Sequence, residues 1–113
     1  MSKLVIATDF SPITGGRTPQ EGDFSGELFR DTILLSAYNE ALAKKEILEI
    51  DFDGCYGIGT SFLEEAFGGL VRVHKCIGVL DNIILVANDD ETIPSNVIKY
   101  VRDAEDKLKH GKR

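Results

Sequence analysis

Residues 46–70, EILEIDFDGCYGIGTSFLEEAFGGL, carry the clearest signal for the fold of this chain. Its first seven residues, EILEIDF, predict a β-strand. The glycines that follow, at positions 54, 57 and 59, predict a turn. Apolar side chains then return on one side between about residues 62 and 73 and predict a helix, at Phe62, Leu63, Phe67 and Leu70. The stretch therefore runs from a strand through a glycine turn to a helix, which is typical of an α/β domain.

The same alternation extends outward from this stretch in both directions. Residues 3–8, KLVIAT, and residues 82–87, NIILVA, predict two more strands. A helix is predicted from Ser25 to about Lys45, and another from near Pro94 onward. The apolar face of the first of these helices is expected at Leu28, Leu35, Tyr38 and Leu42. This order of elements predicts an α/β fold with a mainly parallel sheet and helices packed on it.

Length, charge and hydropathy limit the class of protein. The 113 residues suit a single domain over positions 1–113. A formal net charge of −6 argues against nucleic-acid binding, which depends on the neutralisation of phosphates by lysine and arginine. No apolar run approaches the roughly 20 residues of a membrane-spanning helix, and the N-terminus lacks the pattern of a signal peptide. We therefore expect a cytoplasmic protein that binds neither nucleic acid nor a membrane.

Residue patterns that support catalysis are sparse. Asp51 and Asp53 resemble the aspartate pair of haloacid-dehalogenase-type phosphatases, but acidic residues that enter a glycine turn explain them as well. The P-loop pattern and the Gly-x-Ser-x-Gly pattern of hydrolases are absent. Two cysteines and two histidines do not form a zinc-binding pattern. We expect no enzyme activity, no cofactor and no metal.

The start of the central helix has two interpretations. Ser61, with Glu64 three residues later, has the pattern of a capping box. A hydroxyl at this position, after Gly57 and Gly59, would also lie near unpaired backbone N–H groups. A phosphate on Thr60 or Ser61 would there meet the positive end of the helix dipole. The residues by themselves leave both interpretations open.

Two further features need partners in the tertiary structure. Gly68 and Gly69 inside a helix cost roughly 1 kcal/mol each against alanine, so close packing of a neighbouring element is expected there. Arg17 and Arg30 are able to hold an anion, together with the turn from Gly57 to Ser61. The alternative is that Arg30 pairs with a helix neighbour and that Arg17 is solvated. A small anion- or nucleotide-binding domain, or a weak enzyme, is therefore the second functional hypothesis.

Three segments together resemble one known family. They are Gly15-Gly16-Arg17, residues 25–30, SGELFR, and residues 61–70, SFLEEAFGGL. These segments resemble an uncharacterised bacterial family of STAS-like domains, which is related to the fold of the anti-sigma factor antagonists. The resemblance implies a mixed, mainly parallel sheet with helices packed on one side.

The resemblance also implies a function. In the anti-sigma factor antagonists, a GHKL-type ATPase phosphorylates a serine at the start of the helix after a central strand, and this breaks their complex. The corresponding positions here are Thr60 and Ser61, where the antagonists' Asp-Ser-Ser/Thr-Gly is replaced by Gly59-Thr60-Ser61-Phe62. The implied protein is a non-catalytic regulatory domain with a GHKL-type ATPase or kinase as its partner. The candidate contact residues are Arg17, Glu27, Arg30, Gly57, Gly59, Phe62, Glu64 and Glu65.

Overall fold

A parallel sheet of three strands organises the computed structural model, which describes residues 2–110. The strands β1 (Ser2–Val5), β2 (Leu48–Asp51) and β3 (Ile83–Val86) lie side by side in chain order. Both strand pairs are parallel, and the register places Leu4 beside Ile50 and Ile50 beside Leu85. The predicted α/β fold with a mainly parallel sheet is thus confirmed.

Within the described residues, four helices connect and follow these strands. A short helix α1 (Ile6–Asp9) follows β1 directly, and α2 spans residues 26–43 between β1 and β2. Helix α3 spans residues 60–74, and α4 (Thr92–Lys109) follows β3. A 3₁₀ turn, Val79–Asp81, precedes β3. Each strand therefore returns to its parallel neighbour through a segment that contains a helix, as parallel pairing requires.

Both α2 and α3 are interrupted by a π-helical turn. In α2 this turn is Arg30–Leu34, between the α-helical parts Gly26–Phe29 and Leu35–Ala43. In α3 it is Glu64–Gly68, between Thr60–Leu63 and Gly69–His74. A π-helical turn is rare; it occurs mostly as a single turn inside an α-helix and is frequent at functional sites.

The π-helical turn in α2 changes the face that this helix buries. The predicted face is wrong at Leu28 and Leu42, which are 36% and 41% exposed, whereas Leu35 is partly buried against the core as predicted. Phe29 and Leu34, five residues apart, are buried in their place. A π-helical turn contains more residues than an α-helical turn, so a spacing of five keeps both side chains on one face. Tyr38 is buried as predicted.

The sheet has one covered face and one open face. Leu4, Leu48 and Ile50 are buried on the covered face, which is consistent with helices packed on one side. The next residues along the strands point the other way, and Ile84 is 45% exposed there. The core between sheet and helices is rich in aromatic rings, and the Phe29 and Phe62 rings lie 5.6 Å apart.

All three strands are shorter than predicted, and the largest difference is at the end of β1. The first strand was expected over residues 3–8, but β1 ends at Val5 and the chain turns at once into α1. Asp9 is the reason, since its Oδ2 accepts a hydrogen bond from the Val5 backbone N–H at 2.8 Å. This contact holds the chain in a helical turn in spite of the β-branched residues around it. No helix within residues 2–110 has the length and apolar character needed to span a membrane.

Candidate functional site

The start of α3 exposes two hydroxyl groups. Gly59 is the N-cap residue, and its backbone carbonyl accepts from the Leu63 N–H at 3.2 Å. Thr60 and Ser61 follow it and are both exposed. Within residues 2–110, neither hydroxyl makes a hydrogen bond. The N-terminus of α3 therefore presents two free hydroxyls beside its uncapped backbone N–H groups.

The predicted capping box is wrong. Ser61 does not cap α3, and Glu64 does not reach back toward the helix start. The Glu64 carboxylate instead accepts hydrogen bonds from Arg17 and from both Nη atoms of Arg72. Two guanidinium groups bring full positive charges and three N–H donors to this carboxylate, which a single backbone N–H at the helix start does not match.

The turn before α3 is held by carboxylates at the edge of the sheet. Gly57 has a φ of +61°, a conformation that favours glycine, whereas Gly59 has an ordinary extended backbone with a φ of −85°. Asp53 accepts from the Asn88 side chain at 2.9 Å and from the Asp89 N–H at 2.8 Å. These bonds, the backbone one first, lower the pKa of Asp53. Asp53 thus connects the turn after β2 to the turn after β3.

The long loop before α2 is folded back on itself. The Gly15 N–H donates to the Phe24 carbonyl at 3.0 Å, and the Gly26 N–H donates to the Gly16 carbonyl at 3.0 Å. The Glu27 N–H donates to the Arg17 carbonyl at 2.9 Å. Ser25 is the N-cap residue of α2, as predicted, since its side chain accepts from the Leu28 N–H at 3.2 Å.

This loop lies against the turn that leads to Thr60. The Tyr56 N–H donates to the Pro12 carbonyl at 2.7 Å, so the two segments are in direct contact. Three large apolar side chains are exposed around this contact: Ile13 at 63%, Phe24 at 43% and Tyr56 at 74%. We call these three residues, together with Pro12, the loop surface. The loop also encloses a groove of about 470 Å³, which Ile13, Phe24 and their neighbours line.

An ion-pair network joins the loop to α2 and α3. We define it as Arg17, Arg30, Asp31, Glu64, Glu65 and Arg72. Arg17 Nη1 lies 2.6 Å from Glu64 Oε1 and 3.8 Å from Glu65 Oε1. Arg30 Nη1 donates to Glu65, while its Nε donates to Asp31 at 2.8 Å. Opposite charges therefore alternate from the loop across both helices.

Arg30 is the buried centre of this network, with a side chain only 5% exposed. Its guanidinium lies against Gly69, where an added Cβ would come within 2.5 Å of Nη1. Gly26 has a similar role, because a Cβ there would lie 2.6 Å from the Phe62 carbonyl oxygen. The expected close packing is thus confirmed at Gly69, where the neighbour is a side chain of α2.

The network also fixes the charge of its carboxylates. Hydrogen bonds from Arg30 and then from His74 lower the pKa of Asp31, although burial opposes the change. Burial by itself would raise the pKa of Glu64, but hydrogen bonds from Arg72 and Arg17 outweigh it and lower the pKa. Both carboxylates are therefore ionised at neutral pH.

The candidate contact residues fall into different environments. Thr60, Ser61, Gly57 and Gly59 are exposed at one end of α3. Phe62 is a core residue, only 1% exposed, and is not available to a partner. Four more candidates have side chains held by internal ion pairs: Arg17, Arg30, Glu64 and Glu65. Glu27 is half-buried and is bonded to the loop through its backbone N–H.

Sequence reasoning missed two parts of this region. Arg72 pairs with Glu64 from two turns further along α3. The π-helical turn between them changes the helical spacing, so the pattern of a regular helix does not predict this pair. The loop surface was missed because Ile13, Phe24 and Tyr56 are scattered in the sequence. The one signal for it was their hydrophobicity within a turn-rich stretch.

Comparison with known proteins adds one match. A family model described as "STAS-like domain of unknown function (DUF4325)" matches residues 25–94. No curated protein and no solved protein structure matches the chain. The matched range begins at the N-cap of α2 and includes Thr60, Ser61 and most of the ion-pair network, whereas Arg17 lies before it.

Proposed function

We propose a function for this chain, which belongs to the family of STAS-like domains of unknown function. In this proposal it is a regulatory domain that binds a protein partner. The partner is a cytoplasmic ATPase or kinase of the GHKL type, and the switch is phosphorylation of Thr60 or Ser61. The observation that carries this proposal is the pair of exposed, unbonded hydroxyls at the start of α3, considered within residues 2–110.

The position of these hydroxyls suits a phosphate. Both lie in the first turn of a helix of 15 residues, 60–74, so a phosphate there would be close to free backbone N–H groups and to the positive end of the dipole. Glu64 would otherwise repel the phosphate. Its carboxylate is instead paired with Arg17 and Arg72, which reduces that repulsion.

The loop surface supports the docking part of the proposal. Ile13, Phe24 and Tyr56 expose apolar area close to the turn that leads into α3. Exposed apolar patches of this kind are typical of protein-binding sites, and aromatic residues are enriched in them. A partner that covers this surface would also contact the helix start, so a new phosphate there would change its affinity.

The second hypothesis, an anion or nucleotide site built on Arg17 and Arg30, is not favoured by the geometry. Arg30 is buried and donates to two carboxylates. Arg17 is paired with Glu64 at 2.6 Å. An anion would have to displace Asp31 or Glu65 from the buried Arg30, and breaking a buried ion pair is strongly destabilising. We therefore put forward one function only.

The experiment combines the purified chain, ATP and a GHKL-type ATPase from the same genome, and measures intact mass. We expect the mass of one phosphate on the wild type, and none on the double variant Thr60→Ala/Ser61→Ala. The matched control is Ser36→Ala, which removes an exposed hydroxyl from the middle of α2. This control is expected to gain phosphate as the wild type does.

Binding of the same ATPase tests the docking surface separately. Tyr56→Ala is expected to weaken binding, since its side chain is 74% exposed and contributes little to folding. Ile77→Ala, at 51% exposure outside the loop surface, is the control and should bind as the wild type does. Phosphate on the double variant would refute the switch, and equal binding by the Tyr56 variant would refute the surface.

A further inference from the structure

The negative charge of this chain is concentrated in three segments at the carboxyl ends of the strands. They are residues 6–25 after β1, residues 51–59 at the end of β2 and residues 87–91 after β3. Together they contain eight acidic residues and one arginine, a formal charge of −7, whereas the other positions of the sequence sum to +1. Because the strands are parallel, all three segments lie at the same end of the sheet. We call these three segments the acidic end.

The segments of the acidic end contact one another. The Tyr56 N–H donates to the Pro12 carbonyl at 2.7 Å, which joins the first segment to the second. The Asp89 carboxylate accepts from the Gly54 N–H at 3.1 Å, which joins the second segment to the third. The acidic residues of the three segments therefore act on one common surface.

Neither the helix dipoles nor a base of this chain cancels the charge of the acidic end. Helices α2, α3 and α4 begin there, and each contributes roughly +0.5 of an elementary charge, which offsets only about a fifth of the formal −7. Arg17 is the one base in the three segments, and it is already paired with Glu64 at 2.6 Å. The acidic end thus keeps a negative potential.

The apolar loop surface lies within the acidic end. Ile13, Phe24 and Tyr56 are exposed there, beside the groove of about 470 Å³. Asp23 is the charged residue that lines this groove, and within residues 2–110 it makes no hydrogen bond or ion pair. Thr14 also lines the groove, and its buried Oγ1 has no hydrogen-bond partner in the same part of the chain. Buried hydroxyls are nearly always paired, so a ligand in this groove is expected to carry a polar group.

We propose that the acidic end binds a basic amphipathic segment of a protein partner. The apolar side chains of that segment cover the loop surface, and its lysine or arginine side chains face the surrounding acids, Asp23 first. Apolar contacts then supply affinity, and the complementary charges supply selectivity and fast association. This inference rests on the proposed function in one respect, since the loop surface is the docking surface in both.

Other occupants fit this surface less well. Nucleic acids and anionic membranes carry a dense negative charge, which the acidic end repels. A second copy of this chain would have to offer bases such as Lys44, Lys75 and Lys109, which lie at the C-terminal ends of the three long helices, at the opposite end of the sheet. Two copies would then bind head to tail and leave open surfaces, whereas most assemblies of identical chains are closed.

The test is a nuclear magnetic resonance titration of the full chain with two synthetic peptides of equal length. Both peptides have leucine at helical spacing, and their other positions are all lysine in one and all glutamate in the other. We expect the lysine peptide to shift the amide signals of residues 11–26 and 52–59, and the glutamate peptide to shift none. Added salt should weaken the binding, because the charges of the acidic end are largely exposed.

A charge reversal in the groove tests the role of Asp23. Asp23→Lys should weaken binding of the lysine peptide by about three- to tenfold. Since Asp23 is exposed and unpaired within residues 2–110, this variant is expected to fold, which circular dichroism would verify. The matched control is Glu40→Lys, which makes the same change of net charge at an exposed position of α2 outside the acidic end. This control should bind the lysine peptide as the wild type does.

Several results would overturn the proposal. They are a wild type that does not respond to the lysine peptide, equal binding of the two peptides, and an Asp23 variant that binds as the wild type does. A molar mass that doubles with concentration in the wild type but not in the Asp23 variant would place a second copy on this surface and overturn it as well.

The peptide titration uses neither the ATPase nor phosphorylation, so the two proposals fail separately. Binding of the ATPase without binding of the lysine peptide would refute the inference about charge and leave the proposed function standing. Binding of the lysine peptide without binding or phosphorylation by the ATPase would refute the proposed function and support the basic partner.

Discussion

Replacing Gly69 with alanine separates helix propensity from packing in α3. Alanine is favoured over glycine inside a helix by about 1 kcal/mol, so propensity by itself would make this variant more stable. The added Cβ, however, would come within 2.5 Å of Arg30 Nη1 and 3.1 Å of Arg30 Cδ. Arg30 is buried and held by Asp31 and Glu65, so it has little freedom to move aside.

The magnitude follows from these opposing effects. Overpacking costs typically about 1–3 kcal/mol, and a hydrogen bond to a charged group contributes about 1.5–3 kcal/mol when it is lost. We expect Gly69→Ala to lower the free energy of unfolding by about 1–3 kcal/mol after the gain in propensity. Gly68→Ala is the matched comparison in the same helix. Its Cβ would meet the ends of the Glu64 and Arg72 side chains, which are 25% and 40% exposed and so have more freedom to shift than the buried Arg30; this variant should be up to about 1 kcal/mol more stable.

Urea unfolding followed by circular dichroism measures both variants. An Arg30→Ala background completes a double-mutant cycle, because it removes the guanidinium that Gly69 accommodates. In that background Gly69→Ala is expected to be neutral or stabilising. If Gly69→Ala stabilises the wild type, or if its cost is the same in both backgrounds, the packing argument is refuted.

Two further expectations concern the ion-pair network. Arg17→Ala should cost less than about 1 kcal/mol, since its side chain is 41% exposed, yet it should speed amide hydrogen exchange at Gly26 by loosening the loop. The control is Lys44→Ala, which removes an exposed ion pair with Glu40. Unchanged amide exchange at Gly26 in the Arg17 variant would contradict the inference that Arg17 holds the loop against α3. The pKa values of Asp31 and Glu64 are lower in the folded state than in the unfolded chain, where they lie near 4. The two carboxylates therefore contribute their full stabilisation above the unfolded pKa values. This stabilisation is lost as the pH falls through the folded-state pKa values. Urea titrations from neutral to acidic pH should therefore show falling stability below about pH 5, with a shallower fall in Glu64→Gln; a flat profile would contradict this.

Local sequence signals were sufficient where the decisive interactions are local. The central strand, predicted over residues 46–52 and found at 48–51, and the helix start at Ser25 each follow from residue type and spacing within one element. The alternation of strands and helices then leaves a parallel sheet as the arrangement that short connections allow. These features depend on backbone preferences and on the separation of apolar from polar side chains.

Predictions failed where a distant residue offered a stronger contact. Glu64 was expected to cap its own helix, but Arg17, 47 positions away in the chain, binds its carboxylate instead. The apolar face of α2 was misplaced because a π-helical turn changes the spacing around Arg30. The π-helical turn places Arg30 against Glu65 and Gly69 of α3. The prediction assumed the 3.6-residue period of a regular α-helix, which does not allow for the extra residue of such a turn.

Residue types and their spacing are enough to predict an α/β domain of the STAS-like family, with a glycine turn and a helix start near Thr60 in its central unit. Residue composition and periodicity specify those features, because they act within a few turns or one strand. Only the tertiary structure decided that Ser61 is free of a capping role, that both candidate arginines are held by carboxylates, and that three acidic segments meet beside the loop surface. Each of these depends on which distant groups come within hydrogen-bonding distance once the core has formed.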